Sequence, residues 1–427
     1  MTIYDFSNKI SNGGMDELFL QMYRQTDMEK LRQRARYLNA AENFSKLYPQ
    51  REEIHVFSVP ANTEICGNHM NYQCGCVFTA AVTLDILAIV AYHDESVIRI
   101  SCEGVKAIEI DISDLSDIAK SDSKISAVIC GIVSDFIEKG MEICGFDAYI
   151  TSDITAESGL STSAALEILI CNIINNMCES KLSVTEVAKI GWQDKENSSE
   201  NSCDFIERLT CASCGILSFD MNNSAEPKIH KFDFDFSKSG YSLCVVNVKE
   251  NCSDYRNECN EIIEDMKSAA KIMGVDHISD ADEEKFYDNL PEIREKCNDR
   301  VILSAAHFFD EKQRTVMIQE ALEYGRLTEF FSLVNQSAES WAMLANNINS
   351  LGNPVKQALM VALTVSKRYL RGAGAVRVCS GSFTGAIQAF VPNYLVNGYI
   401  RELDRIFGSG STQVMGIRNE NMIELFN

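Results

Sequence analysis

Residues 152–167, Ser-Asp-Ile-Thr-Ala-Glu-Ser-Gly-Leu-Ser-Thr-Ser-Ala-Ala-Leu-Glu, constrain the fold more than any other stretch of the chain. A β-like run, Phe146 to Thr151, enters a Gly/Ser-rich turn, and the turn feeds an apolar helical stretch from Leu160 to Met177. Ala, Leu and Ile occupy most of that helix's circumference, which predicts a helix inside a domain. Amide N–H groups are left unpaired at such a helix N-terminus, where the partial positive charge of the aligned peptides also sits. An end of this kind holds phosphate oxygens. Gly159 permits close backbone approach, and Ser161, Thr162 and Ser163 offer hydroxyls to phosphate or to Mg²⁺, which prefers oxygen. Ala164 and Ala165 are small enough for the first turn to pack tightly beneath a ligand. The same letters have an ordinary use as N-caps in a Ser/Gly turn. No Gly-Lys-Ser/Thr follows, so this is not a Walker loop.

The chain has 427 residues, enough for two domains with sizeable cores, and its 46% hydrophobic and 23% charged content is ordinary for a globular protein. The longest apolar-rich run, Val77 to Tyr92, is broken by Thr79, Thr83 and Asp85, so no membrane span is expected. Met1 to Ser11 lacks the apolar block of a signal peptide, and the expected location is cytoplasmic. The 16 cysteines are then reduced thiols. The close pairs, Cys74-x-Cys76 and Cys211-x-x-Cys214, read as small buried hydrophobes, with no metal bound through sulfur. A net charge of −22 argues against nucleic acid or an anionic membrane as the main partner and otherwise serves solubility. It does not exclude an anionic nucleotide, which needs only a local pocket of amides.

Along the chain, residues 15–49 read as helical, and Ile54 to Val59 as a short β run ending at Pro60. Val77 to Tyr92 and Ser96 to Ser101 are strand-like, and Ile125 to Lys139 helical. Residues 183–213 look helical, with strands at Gly215 to Phe219 and Ser242 to Val246. From Asp254 to Tyr369 the pattern is helical, interrupted at Pro291 and at Gly352-Asn353-Pro354. Strands at Ala375 to Val378, Ala386 to Val391 and Gln413 to Ile417 enclose a helix from Tyr394 to Ile406. A strand-rich first half, a helix-rich second half and terminal strands predict two α+β domains, 1–220 and 221–427.

Three blocks carry a family resemblance. Ser158-Gly-Leu-Ser-Thr-Ser-Ala-Ala resembles the ATP loop of the GHMP kinases, which include galactokinase, homoserine kinase and mevalonate kinase. Pro60-Ala-Asn-Thr-Glu-Ile-Cys-Gly-Asn-His-Met-Asn-Tyr72 resembles the galactokinase signature Pro-Gly-Arg-x-x-x-x-Gly-x-His-x-Asp-Tyr/His. Cys379-Ser-Gly-Ser-Phe-Thr-Gly-Ala-Ile-Gln-Ala-Phe-Val-Pro392 resembles the glycine-rich third motif and its strand. The resemblance runs from about residue 50 to the C-terminus. It implies the two-domain GHMP kinase fold, α+β, with a ribosomal-protein-like first domain and a helix-rich α/β second domain.

The resemblance further implies ATP and Mg²⁺ as cofactors and a small, galactose-like sugar phosphorylated at its anomeric hydroxyl, in a monomer or weak homo-oligomer. Ser158, Gly159, Leu160, Ser161, Thr162, Ser163 and Ala164 would hold the phosphates, and Ser163 with Glu196 the Mg²⁺. Asp204, sixteen residues before the strand-ending Asp220 as in the family, would accept or orient the proton. Asn68, His69, Asn71 and Tyr255 would line the acceptor site. Each has a plainer alternative: Asp204 caps a helix, Glu196 is a solvated surface acid, His69 is structural, and Tyr255 is a core aromatic.

The pattern breaks at the sugar end. Asn62 stands where the family has the Arg that lowers the catalytic carboxylate's pKa and stabilises developing charge, with Ala61 for the preceding Gly. Asn71 replaces the Asp that binds sugar hydroxyls and lacks charge-assisted bonds. Asn68 stands where many galactokinases have Glu, and Ser380, Ser382 and Thr384 add side chains to the third motif. Two expectations follow: an active kinase acting on galactose or a related acceptor, or a nucleotide- and sugar-binding sensor or regulator with little transfer activity.

Overall fold

The computed structural model describes residues 1–425 except 24–25, 68, 104–105, 116–123, 156–157, 179–180, 192–204, 223–226, 250–255, 346–354, 356 and 380–384. Its spine is an 18-residue strand. A mixed sheet of seven strands comprises β1 (His55–Cys66), β2 (Cys76–His93), β3 (Val97–Cys102), β4 (Ile108–Asp111), β5 (Gly145–Ser152), β6 (Ile216–Asp220) and β7 (Lys228–Phe232). The order is β4-β3-β5-β2-β6-β7, with β1 on the other edge of β2. The first part of β2, from Cys76 to Ala80, pairs with β6, and the part from Ile86 to His93 pairs with β5.

Side chains alternate across β2 with the period of a strand. Leu87, Ile89 and Ala91 face one apolar cluster, whereas Ile86, Ala88 and Val90 face another. The first cluster belongs to an N-terminal helical layer of α1 (Ile3–Ser11), α2 (Asp16–Met22) and α3 (Asp27–Leu47), which contributes Phe6, Phe19, Tyr37 and Phe44. The second receives α4 (Lys124–Glu138), α5 (Thr162–Met177), α6 (Val184–Lys189) and α7 (Phe205–Ser213). Asp85, wholly buried in β2, is satisfied by Arg36 of α3 (2.5 Å), the Tyr23 hydroxyl (2.6 Å), the Ser58 hydroxyl and Arg418 (3.6 Å).

The second sheet is antiparallel, with order β11-β8-β10-β9: β8 (Tyr241–Asn247), β9 (Ala375–Val378), β10 (Ala386–Pro392) and β11 (Thr412–Met415). Helices α8 (Arg256–Met273), α9 (Glu283–Asp288), α10 (Leu290–Lys296), α11 (Asp299–Glu323), α12 (Leu327–Met343) and α13 (Ala358–Leu370) precede β9, and α14 (Val396–Phe407) precedes β11. α13 and α14 cover one face of this sheet through Leu363, Tyr399 and Leu403, while Leu243, Val245 and Phe390 on the other face join the main core. The chain end returns to the first sheet, where Ile417 bridges to Val82 and Glu424 to Phe57. The architecture is α+β.

Three expectations need correction. β1 does not end at Pro60 but runs through it to Cys66, with a register shift between Pro60 and Asn62. Proline is tolerated because the pairing of β1 with β2 shifts register there, beyond the Phe57–Glu424 bridge on its other edge. Pro291 does not interrupt a helix: it sits in the first turn of α10, where no intrahelical N–H is required. β4, β7 and α1 were not anticipated. β7, Lys-Ile-His-Lys-Phe, is an edge strand whose first four residues are exposed, so it lacks apolar alternation.

Candidate active site

The head of α5 lacks the usual side-chain cap. Its N-cap, Ser161, adopts a left-handed conformation (φ 49°) and makes no capping bond with its side chain. The hydroxyl instead donates to Glu207 Oε1 of α7 at 2.6 Å. The capping use of these serines is therefore not realised at this position. Gly159 also has a positive φ of 70°, and Ser158 is only 2% exposed, its hydroxyl without a hydrogen-bond partner among the described residues. A buried hydroxyl without a partner is uncommon in folded proteins and calls for a reason. Leu160, Ala164 and Ala165 pack into the core beneath the turn, while Thr162 is half-buried and Ser163 exposed. Buried Glu167 of α5 pairs with Arg208 of α7, and Arg208 also donates to the Ala188 carbonyl at 2.9 Å, fixing α5 against α6 and α7.

Asn62 meets the same helix. Its side chain, 3% exposed, donates from Nδ2 to the Glu207 carbonyl (3.1 Å) and to the Cys211 sulfur (3.2 Å). Burial pushes the Cys211 thiol up, so that sulfur stays protonated. The first turns of α7 thus bring Asn62 of β1 and Ser161 of the loop together. Asp204 immediately precedes α7 in sequence but lies outside the described residues, as does Glu196.

The turn between β1 and β2 forms a third group. Gly67 has φ 87°, and a Cβ there would lie 2.3 Å from the Cys76 carbonyl oxygen, so no other residue fits. His69 (φ 61°, 8% exposed) packs its ring 5.2 Å from Trp341 of α12 and 6.0 Å from Tyr72. Asn71 is half-buried in the one-turn 3-10 helix Met70–Gln73. The Gly67 amide donates to Glu311 Oε1 of α11 at 3.0 Å. Glu311 also accepts from the Ser337 hydroxyl (2.5 Å) and pairs with Arg314. Burial would raise its carboxyl, but His307, Arg314 and these hydrogen bonds hold it below its ordinary value. Asn68, Tyr255 and residues 380–384 of the third motif lie outside the described residues.

Glu207, Glu311 and Trp341 were missed by sequence reasoning. Glu207 lies three residues after the singled-out Asp204. The spacing His307-x-x-x-Glu311-x-x-Arg314 puts three ionisable groups on one face of a helix, the one hint the sequence held.

Two family profiles match the chain: the galactokinase galactose-binding signature at residues 42–92 and the GHMP kinases N terminal domain at 127–203. A galactokinase of Actinobacillus pleuropneumoniae serotype 5b is 26% identical over 391 residues, covering 89% of this chain and 94% of that protein. A galactokinase of Clostridium acetobutylicum is 23% identical over 382 residues, covering 85% and 91%. Among solved structures, Lactococcus lactis galactokinase complexed with galactose superposes with a TM-score of 0.74 at 21% identity, covering 88% of this chain and 97% of that one. The mevalonate kinase of Methanococcus jannaschii gives a TM-score of 0.60 at 16% identity, covering 85% and 98%. The fold is that of the GHMP kinases. Within that superfamily the chain is similar to galactokinases, both in its galactose-binding signature and in its curated relatives. No helix among the described residues is long and apolar enough to cross a membrane.

Proposed function

We propose that the chain binds ATP at the head of α5 and transfers its γ-phosphoryl group to the anomeric hydroxyl of galactose or a related small sugar. The observation that carries this reading is the Ser158 hydroxyl, buried and without a partner among the described residues, beside a helix head whose N-cap side chain makes no capping bond. Phosphate oxygens would satisfy both the hydroxyl and the amides. The turn's donors suit Mg²⁺, being all oxygen: the hydroxyls of Ser161 and Ser163 and the Glu207 carboxylate, with Glu196 a further candidate. Mg²⁺ at such a site neutralises charge on the β- and γ-phosphates. Asp204 would accept or orient the hydroxyl proton, and Asn68, His69, Asn71 and Tyr255 would line the acceptor pocket.

A second reading, a nucleotide- and sugar-binding sensor or regulator with impaired transfer, is favoured by Asn62. Its amide is committed to α7 and carries no charge. Loss of a transition-state cation typically lowers the rate by about 10²–10³. An ADP-release assay over a panel of neutral sugars, with ATP binding read by thermal shift, separates the readings. Turnover with galactose, abolished by Asp204→Ala, supports the kinase. ATP and galactose binding without turnover, with turnover gained by Asn62→Arg/Asn71→Asp, supports the sensor. No thermal shift with ATP defeats both.

A further inference from the structure

We propose that Glu311 and Trp341, on the α11–α12 pair, are positioning residues that set the shape of the turn Gly67–Gln73. The proposal deepens the reading above, since it rests on that turn holding the acceptor. The turn cannot keep its shape unaided. Gly67, His69 and Cys74 all have positive φ (87°, 61° and 58°), and two of these are not glycine. Left-handed geometry at such residues persists where the surroundings over-determine it.

Two side chains from more than 240 residues along the chain supply that constraint. The Glu311 carboxylate is 1% exposed and would be costly to bury without full hydrogen bonding. Its Oε1 accepts from the Gly67 amide and the Ser337 hydroxyl, and its Oε2 pairs with Arg314. Of these three partners, only the Gly67 amide belongs to the turn. Trp341 is 3% exposed and lies between two imidazoles, 5.2 Å from His69 and 5.1 Å from His307. Its indole backs the His69 ring, two positions before Asn71. Neither residue belongs to the head of α5, so both act on the acceptor side and leave the nucleotide side alone.

The test uses the full chain with two readouts. Hydrogen exchange of the peptide spanning 67–74 reports the turn without any ligand. Dissociation constants for D-galactose and for Mg·ATP report the two halves of the site. Glu311→Ala is expected to speed exchange in that peptide by about tenfold or more and to weaken galactose by a similar factor. ATP should stay within about twofold, because its phosphates lie on a different element. Glu311→Gln should restore most of both effects, since its amide oxygen still accepts from Gly67. Trp341→Ala should repeat the pattern, and Trp341→Phe should largely preserve it. Unchanged exchange in Glu311→Ala, or equal weakening of ATP and galactose, overturns the proposal. Faster exchange with no galactose binding in the wild type upholds the positioning role and instead defeats galactose as the acceptor.

Discussion

Replacing His307 with Asn should flatten the acid limb of this protein's stability curve. His307 lies on α11, 1% exposed, with Nδ1 2.8 Å from the Ser340 hydroxyl and Nε2 without a hydrogen-bond partner. Burial pulls its pKa from 6.5 to about 4; Glu311, one turn on, opposes the drop, while Arg314 and Arg377 add to it. The imidazole is therefore neutral in the folded protein at pH 5, whereas the unfolded chain carries a proton there. Stability rises with pH wherever the unfolded state binds more protons, so this group's contribution is complete above pH 6.5 and is lost as pH falls toward 4. The gap amounts to about 3 kcal/mol. Urea unfolding followed by far-UV circular dichroism at steps from pH 7 to 4 measures it. Wild type should lose about 3 kcal/mol more than His307→Asn across that range. The packing cost of the substitution is the same at every pH, and carboxylates away from α11 titrate alike in both proteins, so the difference reports the ring together with its coupling to Glu311. Parallel curves would refute the reasoning, because they would mean that His307 takes up its proton equally in both states.

Further outcomes follow from the same contacts. Gly67→Ala should destabilise the protein by about 2 kcal/mol or more, read by chemical denaturation, since its Cβ would meet the Cys76 carbonyl at 2.3 Å. Glu207→Ala should tighten ATP severalfold in EDTA by removing a carboxylate beside the phosphates, and weaken it when Mg²⁺ is present; calorimetry in both buffers distinguishes the signs. Asp85→Asn should cost about 3–5 kcal/mol, because Arg418 would keep a buried charge without its counter-ion and Arg36 would be left with Asp153 (3.0 Å) alone. Burial alone would raise the Asp85 carboxyl, but these two guanidinium groups hold it below 3.8. Its stabilisation is therefore intact at neutral pH and lost as pH falls below about 3.8, which acid titration of the wild type and the variant compares.

Elements whose character is local were legible in the sequence. α5 announced itself because apolar residues surround it, and the central part of β2 because Val, Ile and Leu dominate it. The passage of β1 through Pro60 was not legible, since it depends on a register shift against β2 at that point. β7 was hidden because an edge strand with exposed residues carries no apolar period. At the site, the turn at Ser158–Ala164 could be read from composition, but the destination of the Ser161 hydroxyl could not. A serine before a helix serves equally as a cap or as a donor to a distant acid, and only packing against α7 decides for Glu207. Glu311 is the extreme case: it contacts Gly67 across 244 positions, and the sequence hints at it only through its helical spacing from His307 and Arg314.

The two halves of the site rest on different physics, and that difference explains how one could diverge without the other. Phosphate recognition at α5 draws on backbone amides, which every residue but proline provides, and on a helix locked into the core by the Glu167–Arg208 pair. Its geometry fails only if the core fails. Acceptor recognition draws on side-chain identity, at positions such as 62 and 71, displayed on a backbone that Gly67, Glu311 and Trp341 hold from behind. Exchanging Arg or Asp for Asn at such positions changes charge without moving the backbone. Asn62 even gains two hydrogen bonds of its own to α7. On the proposed reading, binding would depend on the held turn whereas efficient transfer would also draw on a cation at position 62, so the first could outlive the second. If Asn62→Arg raised turnover while leaving the galactose dissociation constant unchanged, the two requirements would be separate in this protein. If binding and turnover moved together, the division between held backbone and displayed side chain would be wrong.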